Sequence, residues 1–454
     1  MRHDVEKAFL LRSANRLAVT RSLFLILACS LALKLSLLVL LARYNPDGIW
    51  SPDSHAYHHL ALNLLKNGVF SRSLAPPFEA EVFRTPGYPL FLAMIYHVVG
   101  VHPLRAIAFQ IVLSLATLYL TYRIAERMFN EKVGLIAAGL LALDPVSLLH
   151  SQILMTETVF AFFLSLSVFF FLGVLKGERS YAGSGLGSFF LAMATYARPT
   201  SYYLGIMIGP LLAFGYWLAI RDWKKAVLTV LVVVVVQAVF VGGWQLRNYL
   251  QTGSPEFSQI KGPLLLFERA SGIVAIRDGI SYEEAQKKLS SLHIDSLPPE
   301  SGRLTQAQYG DLTQRAGLRI IQEHPVLYLL VAMKGAAAMI FGPSNMAGLF
   351  GVDSKEFRTA LLRLDFDRFS SGVLLGGSAA LAYGIMYLLV LYAGVVMFLR
   401  HGGFSGGALI LMVVVAYVIV VSSGPEAYNR FRAPIMPLLC VLSSAGYLRV
   451  AHPE

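Results

Sequence analysis

The fold of this chain is decided by the apolar run SLFLILACSLALKLSLLVLLA, from Ser22 to Ala42, and by the polar loop that follows it. The run is long enough to cross about 30 Å of hydrocarbon as a helix, whereas residues 44–85 are too polar to enter lipid. Asp53 lies just beyond the run, and the far end of the loop reads RTPGYP, from Arg84 to Pro89. The sequence therefore predicts a carboxylate at a membrane face, where it can meet both a lipid-borne and a water-borne substrate.

Composition indicates a polytopic membrane protein. Of the 454 residues, 56% are hydrophobic and 14% are charged, and the mean hydropathy is +0.60, which excludes a soluble globular protein. The net charge of +11 comes from short Lys and Arg clusters between apolar runs, a pattern typical of the positive-inside rule rather than of nucleic-acid binding. Cys29 and Cys440 lie inside apolar runs, so neither a disulfide framework nor a zinc ribbon is expected.

Apolar runs along the chain predict ten membrane spans. They are Ser22 to Ala42, Leu104 to Tyr122, Val133 to Leu149, Ile153 to Leu175, Tyr181 to Tyr196, Tyr202 to Ile220, Ala226 to Trp244, Val373 to Leu399, Ala408 to Val421 and Ile435 to Val450. Alternate threading from a cytoplasmic N-terminus keeps the basic clusters on the cytoplasmic side. A further run, Pro325 to Phe341, would upset this alternation if it crossed fully, so we interpret it as interfacial or re-entrant.

The predicted fold class is an all-α polytopic membrane protein with a bundle of 10–11 transmembrane helices. Residues 1–245 form a first transmembrane module that includes the outer loop 44–103, residues 246–324 form an extracytoplasmic region, and residues 325–454 form a C-terminal transmembrane region. In the first loop, surface helices are expected from Ser54 to Asn67 and from Tyr88 to Val99. In the second, a capping box at Ser281 opens one helix and another runs from Thr305 to Glu323.

Charged residues near the spans gather on the predicted extracytoplasmic face. Such residues are costly, about 2.5–3.5 kcal/mol each at a bilayer centre, so their placement carries information. A single arginine at a helix end is explained by snorkelling, and Asp53 alone is explained as a helix cap. Asp144 and Glu157 have little snorkelling reach, so a polar cavity is the simpler explanation for them. The residues on this face are Asp53, Glu79, Glu81, Arg84, Asp144, Glu157, Arg198, Arg247, Arg430 and Arg432.

Carboxylates beside several arginines suit group transfer from a phosphate-linked donor. Arginine pairs bidentately with phosphate oxygens and stabilises the charge that grows on a leaving phosphate, while a carboxylate takes the proton of the acceptor. If the migrating group is a sugar, its transition state resembles an oxocarbenium ion, and attack opposite the phosphate inverts the anomeric centre.

A histidine cluster at His55, His58 and His59 raises the question of a metal, because His55 and His59 are one helical turn apart. A surface helix needs no metal to carry histidines, and this short stretch supplies no clear third and fourth ligand. No cofactor is expected, and a divalent metal is not favoured.

The arrangement resembles the GT-C glycosyltransferases, specifically bacterial relatives of the protein O-mannosyltransferases and of the lipid A aminoarabinose transferase. The resemblance covers most of the chain. Its strongest part runs from Asp53 to Tyr88-Pro89, and supporting pieces follow in the expected order. These are Thr156-Glu157-Thr158, Ala197-Arg198-Pro199, Trp244 with Arg247-Asn248-Tyr249, and the segment from Arg430 to Pro434.

The resemblance implies an integral-membrane glycosyltransferase that moves a sugar, with inversion, from a polyprenyl-phosphate carrier to an extracytoplasmic glycolipid, glycan or protein. It implies the outer side of a bacterial cytoplasmic (inner) membrane as the location. By the same match Asp53 is the base, and the donor phosphate is bound by Arg84, Arg247 and Arg430. The residues implied for the sugar or acceptor pocket are Tyr57, Tyr88, Asp144, Glu157 and Arg198.

One departure from the family pattern concerns the acceptor. Protein mannosyltransferases carry two adjacent acids at this first-loop position, whereas this chain has Asp53-Ser54. A glycolipid or glycan acceptor is therefore favoured over a protein.

A transporter or flippase of an anionic lipid or sugar is the alternative from another class. It would be expected to carry charges near the midplane of both halves and an internal repeat, and the sequence shows neither. An inactive scaffold protein with the same fold is a third interpretation, which an activity assay separates from the enzyme.

Overall fold

The computed structural model describes residues 2–177, 180–296, 304–342, 382–393, 395–396 and 406–451. Within these ranges the regular structure is helical and no strand occurs, which confirms the all-α fold class. The helices before residue 221 are α1 (Arg2–Tyr44), α2 (Pro52–Asn67), α3 (Gly87–Val99), α4 (Pro103–Met128), α5 (Glu131–Leu143), α6 (Pro145–His150), α7 (Glu157–Leu175), α8 (Ser180–Ala197) and α9 (Leu204–Ile220).

The rest of the chain continues the pattern. Helix α10 runs through a π-helical turn, Ala238–Gly242, directly into α11, and a second π-helical stretch, Leu264–Ala270, joins α12 to α13. These later helices are α10 (Trp223–Gln237), α11 (Gly243–Thr252), α12 (Lys261–Pro263), α13 (Ser271–Asp278), α14 (Tyr282–Ser296), α15 (Gln306–Glu323), α16 (Pro325–Phe341), α17 (Ala382–Ala393), α18 (Gly406–Ser422) and α19 (Met436–Ala451).

Five helices among the described residues are long and apolar enough to cross a bilayer on their own. They are Arg16–Tyr44, Pro103–Met128, Glu157–Leu175, Trp223–Thr252 and Asn429–Leu448. Helices α15 and α16 together would make a sixth, but they meet at a bend of 103°, which fits a broken span or a re-entrant loop. The other predicted spans coincide with shorter helices, and the run from Val373 to Leu399 is described only in part. The count of 10–11 crossings stays a prediction.

The loop 44–103, which we call the first outer loop, contains the two helices expected from the sequence, α2 and α3, while their position along a membrane surface stays a prediction. Ser51 caps α2 in a capping box with Ser54, whose Oγ accepts the backbone N–H of Ser51 at 2.9 Å. Pro52 occupies the first helical position, where its missing N–H costs nothing. Helix α3 begins at Gly87, where a Cβ atom would lie 2.5 Å from the backbone of Ala197. The glycine therefore permits the start of α3 to contact the end of α8.

The transmembrane core is built around α7. This helix packs against α4 and α8, while α5 packs against α4 and α19, and α10 packs against α8 and α9. Fully buried apolar side chains such as Ile111, Phe160 and Phe171 fill the space between them. The packing brings the start of α2, the start of α7, the end of α8 and the segment before α19 to one place.

The outer region from 246 to 324 has a small core of its own, in which Leu266, Val274 and Leu289 are buried. The capping box predicted at Ser281 is present, since Glu284 accepts the Ser281 N–H at 2.9 Å. Thr305 caps α15 in the same manner through Gln308. This region packs beside the first outer loop, because the backbone N–H of Val82 donates to Gln306 Oε1 at 3.2 Å.

Candidate active site

Asp53 lies at the second position of α2, where its carboxylate contacts two arginines from distant segments. Arg84 Nη2 donates to Asp53 Oδ1 at 2.6 Å, and Arg430 donates to Asp53 Oδ2 through Nη1 at 3.2 Å and Nη2 at 3.3 Å. Because Ser51 and not Asp53 caps the helix, the capping explanation of Asp53 is wrong. The carboxylate is instead the centre of an ion-pair network and is 28% exposed.

The network continues from Arg430 to Glu157 and Arg198. Glu157 opens α7, its side chain is fully buried, and its Oε1 accepts Nε of Arg430 and Nη1 of Arg198, the latter at 2.7 Å. A carboxylate in the first turn of a helix also interacts favourably with the helix dipole. Charges therefore alternate along the path Arg84, Asp53, Arg430, Glu157, Arg198, which we call the charge network.

Local structure fixes the position of Arg84. The buried Glu81 carboxylate accepts the backbone N–H groups of Phe83 and Arg84, both at 2.8 Å, and pairs with Arg72. This turn presents the Arg84 guanidinium to Asp53. Among the described residues, Arg84 Nε is buried without a hydrogen-bond partner.

Two tyrosines named from the sequence lie beside the network. Tyr57 is one helical turn beyond Asp53, and Arg84 stands 5.3 Å from the centre of its ring. Tyr88 is fully buried and meets Tyr57 edge to face, with 5.2 Å between the ring centres, while its hydroxyl donates to Gln110. Tyr57 therefore lines the site directly, and Tyr88 supports it from behind.

Asp144 and Arg247 take part in other contacts. Asp144 Oδ2 caps α6 by accepting the Ser147 N–H at 2.7 Å, and its Oδ1 accepts the Tyr383 hydroxyl at 2.6 Å. Arg247 Nη1 donates to the carbonyl of Glu81 at 2.9 Å, and its guanidinium lies 4.8 Å from the Trp244 ring centre. In the described parts of the chain neither residue forms an ion pair or hydrogen bond with the charge network.

The electrostatics of Asp53 follow from this geometry. Burial raises the pKa of the Asp53 carboxyl, but the charges and hydrogen bonds of Arg84 and Arg430 outweigh burial and hold the pKa below its ordinary value of 3.8. The carboxylate is therefore ionised at neutral pH and, while both arginines hold it, is a weak base.

A cavity of about 370 Å³ opens beside the network, within the range of about 300–1,000 Å³ typical of small-molecule sites. Its lining includes Trp50, Ser51, His150, Tyr428 and Arg430. Of these five, Arg430 alone was singled out from the sequence as a site residue. Trp50 and Tyr428 stand within three residues of Asp53 and Arg430, a signal that was available, whereas His150 ends an apolar run with no motif around it.

The histidines of α2 are packed against aromatic side chains. His55 stacks on Trp50 with 4.7 Å between ring centres, and His58 Nδ1 lies 2.9 Å from the Tyr96 hydroxyl. The described residues contain no group of three or more His, Cys, Asp or Glu side chains arranged to hold a metal ion. The view that no metal is needed remains a prediction.

Comparison with known proteins places this geometry in context. A family profile described as dolichyl-phosphate-mannose-protein mannosyltransferase matches residues 83–244, just over a third of the chain. The matched range contains Arg84, Glu157 and Arg198 but not Asp53 or Arg430. Among curated protein sequences, none matches the chain.

Solved structures share the fold at low sequence identity. The archaeal oligosaccharyltransferase AglB from Archaeoglobus fulgidus, in complex with an inhibitory peptide and a dolichol-phosphate, matches with a TM-score of 0.54 and 15% identity over 95% of this chain and 51% of its own. The apo form of the same enzyme matches with a TM-score of 0.53 and 16% identity, over 94% of this chain and 50% of its own. ArnT from Cupriavidus metallidurans matches with a TM-score of 0.41 and 13% identity, over 94% of this chain and 78% of its own. The chain thus spans about half the length of the oligosaccharyltransferase.

Proposed function

We propose that this chain, which has the GT-C fold of membrane glycosyltransferases, is an enzyme. It moves a sugar from a polyprenyl-phosphate carrier to an acceptor, with inversion at the anomeric carbon. The charge network beside a cavity, at one end of the helical bundle, is the observation that carries the proposal. The matched family is named for dolichyl-phosphate-mannose, and AglB was solved with dolichol-phosphate, which supports a donor of this class.

In this proposal Arg84 and Arg430 bind the donor phosphate. As the bond between the anomeric carbon and the phosphate oxygen breaks, its electron pair moves to that oxygen and the carrier leaves with an extra negative charge. Guanidinium groups fixed beforehand stabilise this charge, because they need no reorganisation during the reaction. Arg84 Nε, which has no hydrogen-bond partner among the described residues, would supply one donor. The network contains three arginines and two carboxylates, so its net charge of +1 favours an anion.

Asp53 is the general base that takes the proton from the acceptor as it attacks the anomeric carbon. In the free protein, Arg84 and Arg430 lower its pKa and thereby its basicity. A donor phosphate competes for the same guanidinium groups. Donor binding therefore loosens the pairing and makes the carboxylate more basic when it is needed.

The remaining residues position this machinery. Glu157 holds Arg430 and Arg198 in place through a fully buried carboxylate, and Tyr57 packs under Arg84. Arg247 ties the first outer loop to α11 through the Glu81 carbonyl, so we assign it to loop positioning and not to phosphate binding. Asp144 stabilises the break between α5 and α6.

We assign the reaction to the extracytoplasmic face of a bacterial inner membrane and to a glycolipid or glycan acceptor. The basic clusters between the apolar runs support this orientation. Ser54, which stands where protein mannosyltransferases carry a second acid, serves the capping box of α2. Its hydroxyl therefore has a structural use and supplies no second carboxylate.

The test uses the full-length protein in lipid vesicles with undecaprenyl phosphate that carries mannose, glucose or galactose. Release of undecaprenyl phosphate together with a glycosylated acceptor from an envelope lipid extract would support the proposal. The doubly substituted Arg84→Gln, Arg430→Gln protein should release none. Movement of the intact donor across the bilayer without release of bare carrier would instead establish the flippase alternative.

A further inference from the structure

His150, at the C-terminal end of α6, is a buried polar side chain whose hydrogen-bonding needs the described residues do not meet. Its side chain is 6% exposed, and across the described segments neither Nδ1 nor Nε2 has a hydrogen-bond partner. A neutral imidazole carries one donor and one acceptor, and leaving both unpaired in a buried position is unfavourable. A group of this kind in a native structure calls for an explanation, and a bound water molecule or ligand that supplies the missing partner is one.

His150 is among the lining residues of two cavities. One is the 370 Å³ cavity that also has Trp50 and Arg430 in its lining. The other is a cavity of about 30 Å³, room for one or two water molecules, lined by Glu157 and Lys34 among others. The larger cavity opens at the charge network, so a phosphate bound by Arg430 places the group attached to it beside His150.

We propose that the larger cavity holds the transferred sugar and that His150 hydrogen-bonds one of its hydroxyl groups. The inference rests on the proposed function and extends it to the sugar pocket. A hydroxyl both donates and accepts, which matches the unpaired donor and acceptor of a neutral histidine. Trp50 belongs to the same lining, and an indole ring can pack against the C–H side of a sugar. A buried group left unpaired by a sugar that lacks the matching hydroxyl would make the pocket selective.

The experiment compares binding of bare undecaprenyl phosphate with binding of undecaprenyl phosphate that carries mannose, glucose or galactose. Wild-type protein should bind at least one glycosylated carrier more tightly than the bare one. His150→Phe should reduce that preference about 2- to 10-fold, the range expected for one lost hydrogen bond, and leave the affinity for bare carrier unchanged. His150→Gln, which retains a donor and an acceptor, should restore part of it.

Thermal unfolding separates this role from a structural one. Replacing an unpaired buried polar ring by an apolar ring of similar shape is nearly neutral or stabilising, so the unfolding temperature of His150→Phe should hold or rise. His97, exposed in the last turn of α3, provides the matched control, and His97→Phe should change neither quantity.

Several results would overturn the inference. Equal loss of affinity for bare and glycosylated carriers, or a clear fall in unfolding temperature, would make His150 structural. If His150→Phe changed only the KM of the acceptor, the larger cavity would hold the acceptor and not the transferred sugar. An unchanged preference in His150→Phe, or a wild type that prefers no glycosylated carrier, would remove the sugar contact. If wild type fails to bind even the bare carrier, the proposed function itself is wrong.

Discussion

The Asp53→Asn substitution separates the catalytic role of this residue from its structural one. Asparagine keeps the size of the side chain and one oxygen acceptor but loses the charge and the second oxygen. In the structure the two carboxylate oxygens divide the arginines between them, Oδ1 facing Arg84 at 2.6 Å and Oδ2 facing Arg430 at 3.2 and 3.3 Å. The amide nitrogen cannot accept from a guanidinium, so one arginine must lose this partner.

Two opposite effects follow for the donor. The net charge of the network rises from +1 to +2, and one guanidinium is freed, so affinity for bare undecaprenyl phosphate should hold or increase. Turnover should fall about 10²- to 10⁴-fold, the usual contribution of positioned acid-base catalysis. Folding should survive, because Ser51 and Ser54 cap α2 independently of Asp53 and Arg430 keeps its contact with Glu157.

The assay measures release of undecaprenyl phosphate from its glycosylated form, together with binding of the bare carrier, on protein reconstituted in vesicles. Glu79→Gln is the matched control, since Glu79 is an exposed acid in the same loop. It should behave as wild type in both measurements. Near-normal turnover of Asp53→Asn would refute the general-base assignment, and loss of carrier binding together with turnover would reduce Asp53 to a positioning residue.

Further predictions concern the arginines, the pH dependence that Asp53 causes, and the topology. Arg84→Lys and Arg430→Lys should each weaken binding of undecaprenyl phosphate about tenfold or more, because lysine lacks the bidentate fork, and wild-type affinity in both would contradict the phosphate assignment. The lowered pKa of Asp53 means that its ion pairs contribute stability that is fully present above about pH 3.8 and is lost as the pH falls through the lowered value. The kcat/KM of the wild type, which reports the free protein, should therefore show no acid limb from Asp53 down to about pH 4. Arg84→Gln removes a cause of the lowered pKa and should move this limb to higher pH in a pH profile of kcat/KM. The topology is tested in a variant that lacks the native cysteines. Leu74→Cys, at a position 82% exposed in the first outer loop, should react with an impermeant thiol reagent in intact cells, whereas Lys132→Cys, at an exposed position near the start of α5, should not. The reverse labelling pattern would invert the topology.

Local sequence patterns predicted much of the first outer loop. The helices expected from Ser54 to Asn67 and from Tyr88 to Val99 occur as Pro52–Asn67 and Gly87–Val99. Capping boxes and apolar periodicity lie within a few residues of one another, so they can be read from a single stretch of chain. The exact lengths of the membrane-spanning helices were harder to predict from the sequence. The apolar run from Val133 to Leu149 is interrupted at Asp144-Pro145, because a capping aspartate and a proline start a new helix there.

The residues of the candidate site could be predicted from the sequence only in part, and the tertiary structure decided the rest. The sequence gathered Asp53, Glu157, Arg430, Asp144 and Arg247 on one face, because the ends of apolar runs define the two sides of a membrane. It had no means to separate residues that meet from residues that share a side. The structure brings the first three into contact and engages the other two elsewhere.

By itself, the sequence determined that this protein is a helical membrane protein with charged residues at one face, because hydrophobicity acts along each segment separately. Tertiary packing alone decided that Asp53 meets Arg430, 377 positions away, and that a fully buried carboxylate of Glu157 lies between two arginines. It also decided that His150 belongs to the lining of two cavities and that, within the part of the chain that the structure describes, its ring nitrogens have no hydrogen-bond partner. Contacts of this kind depend on which helix ends are packed together, and no local pattern records that choice.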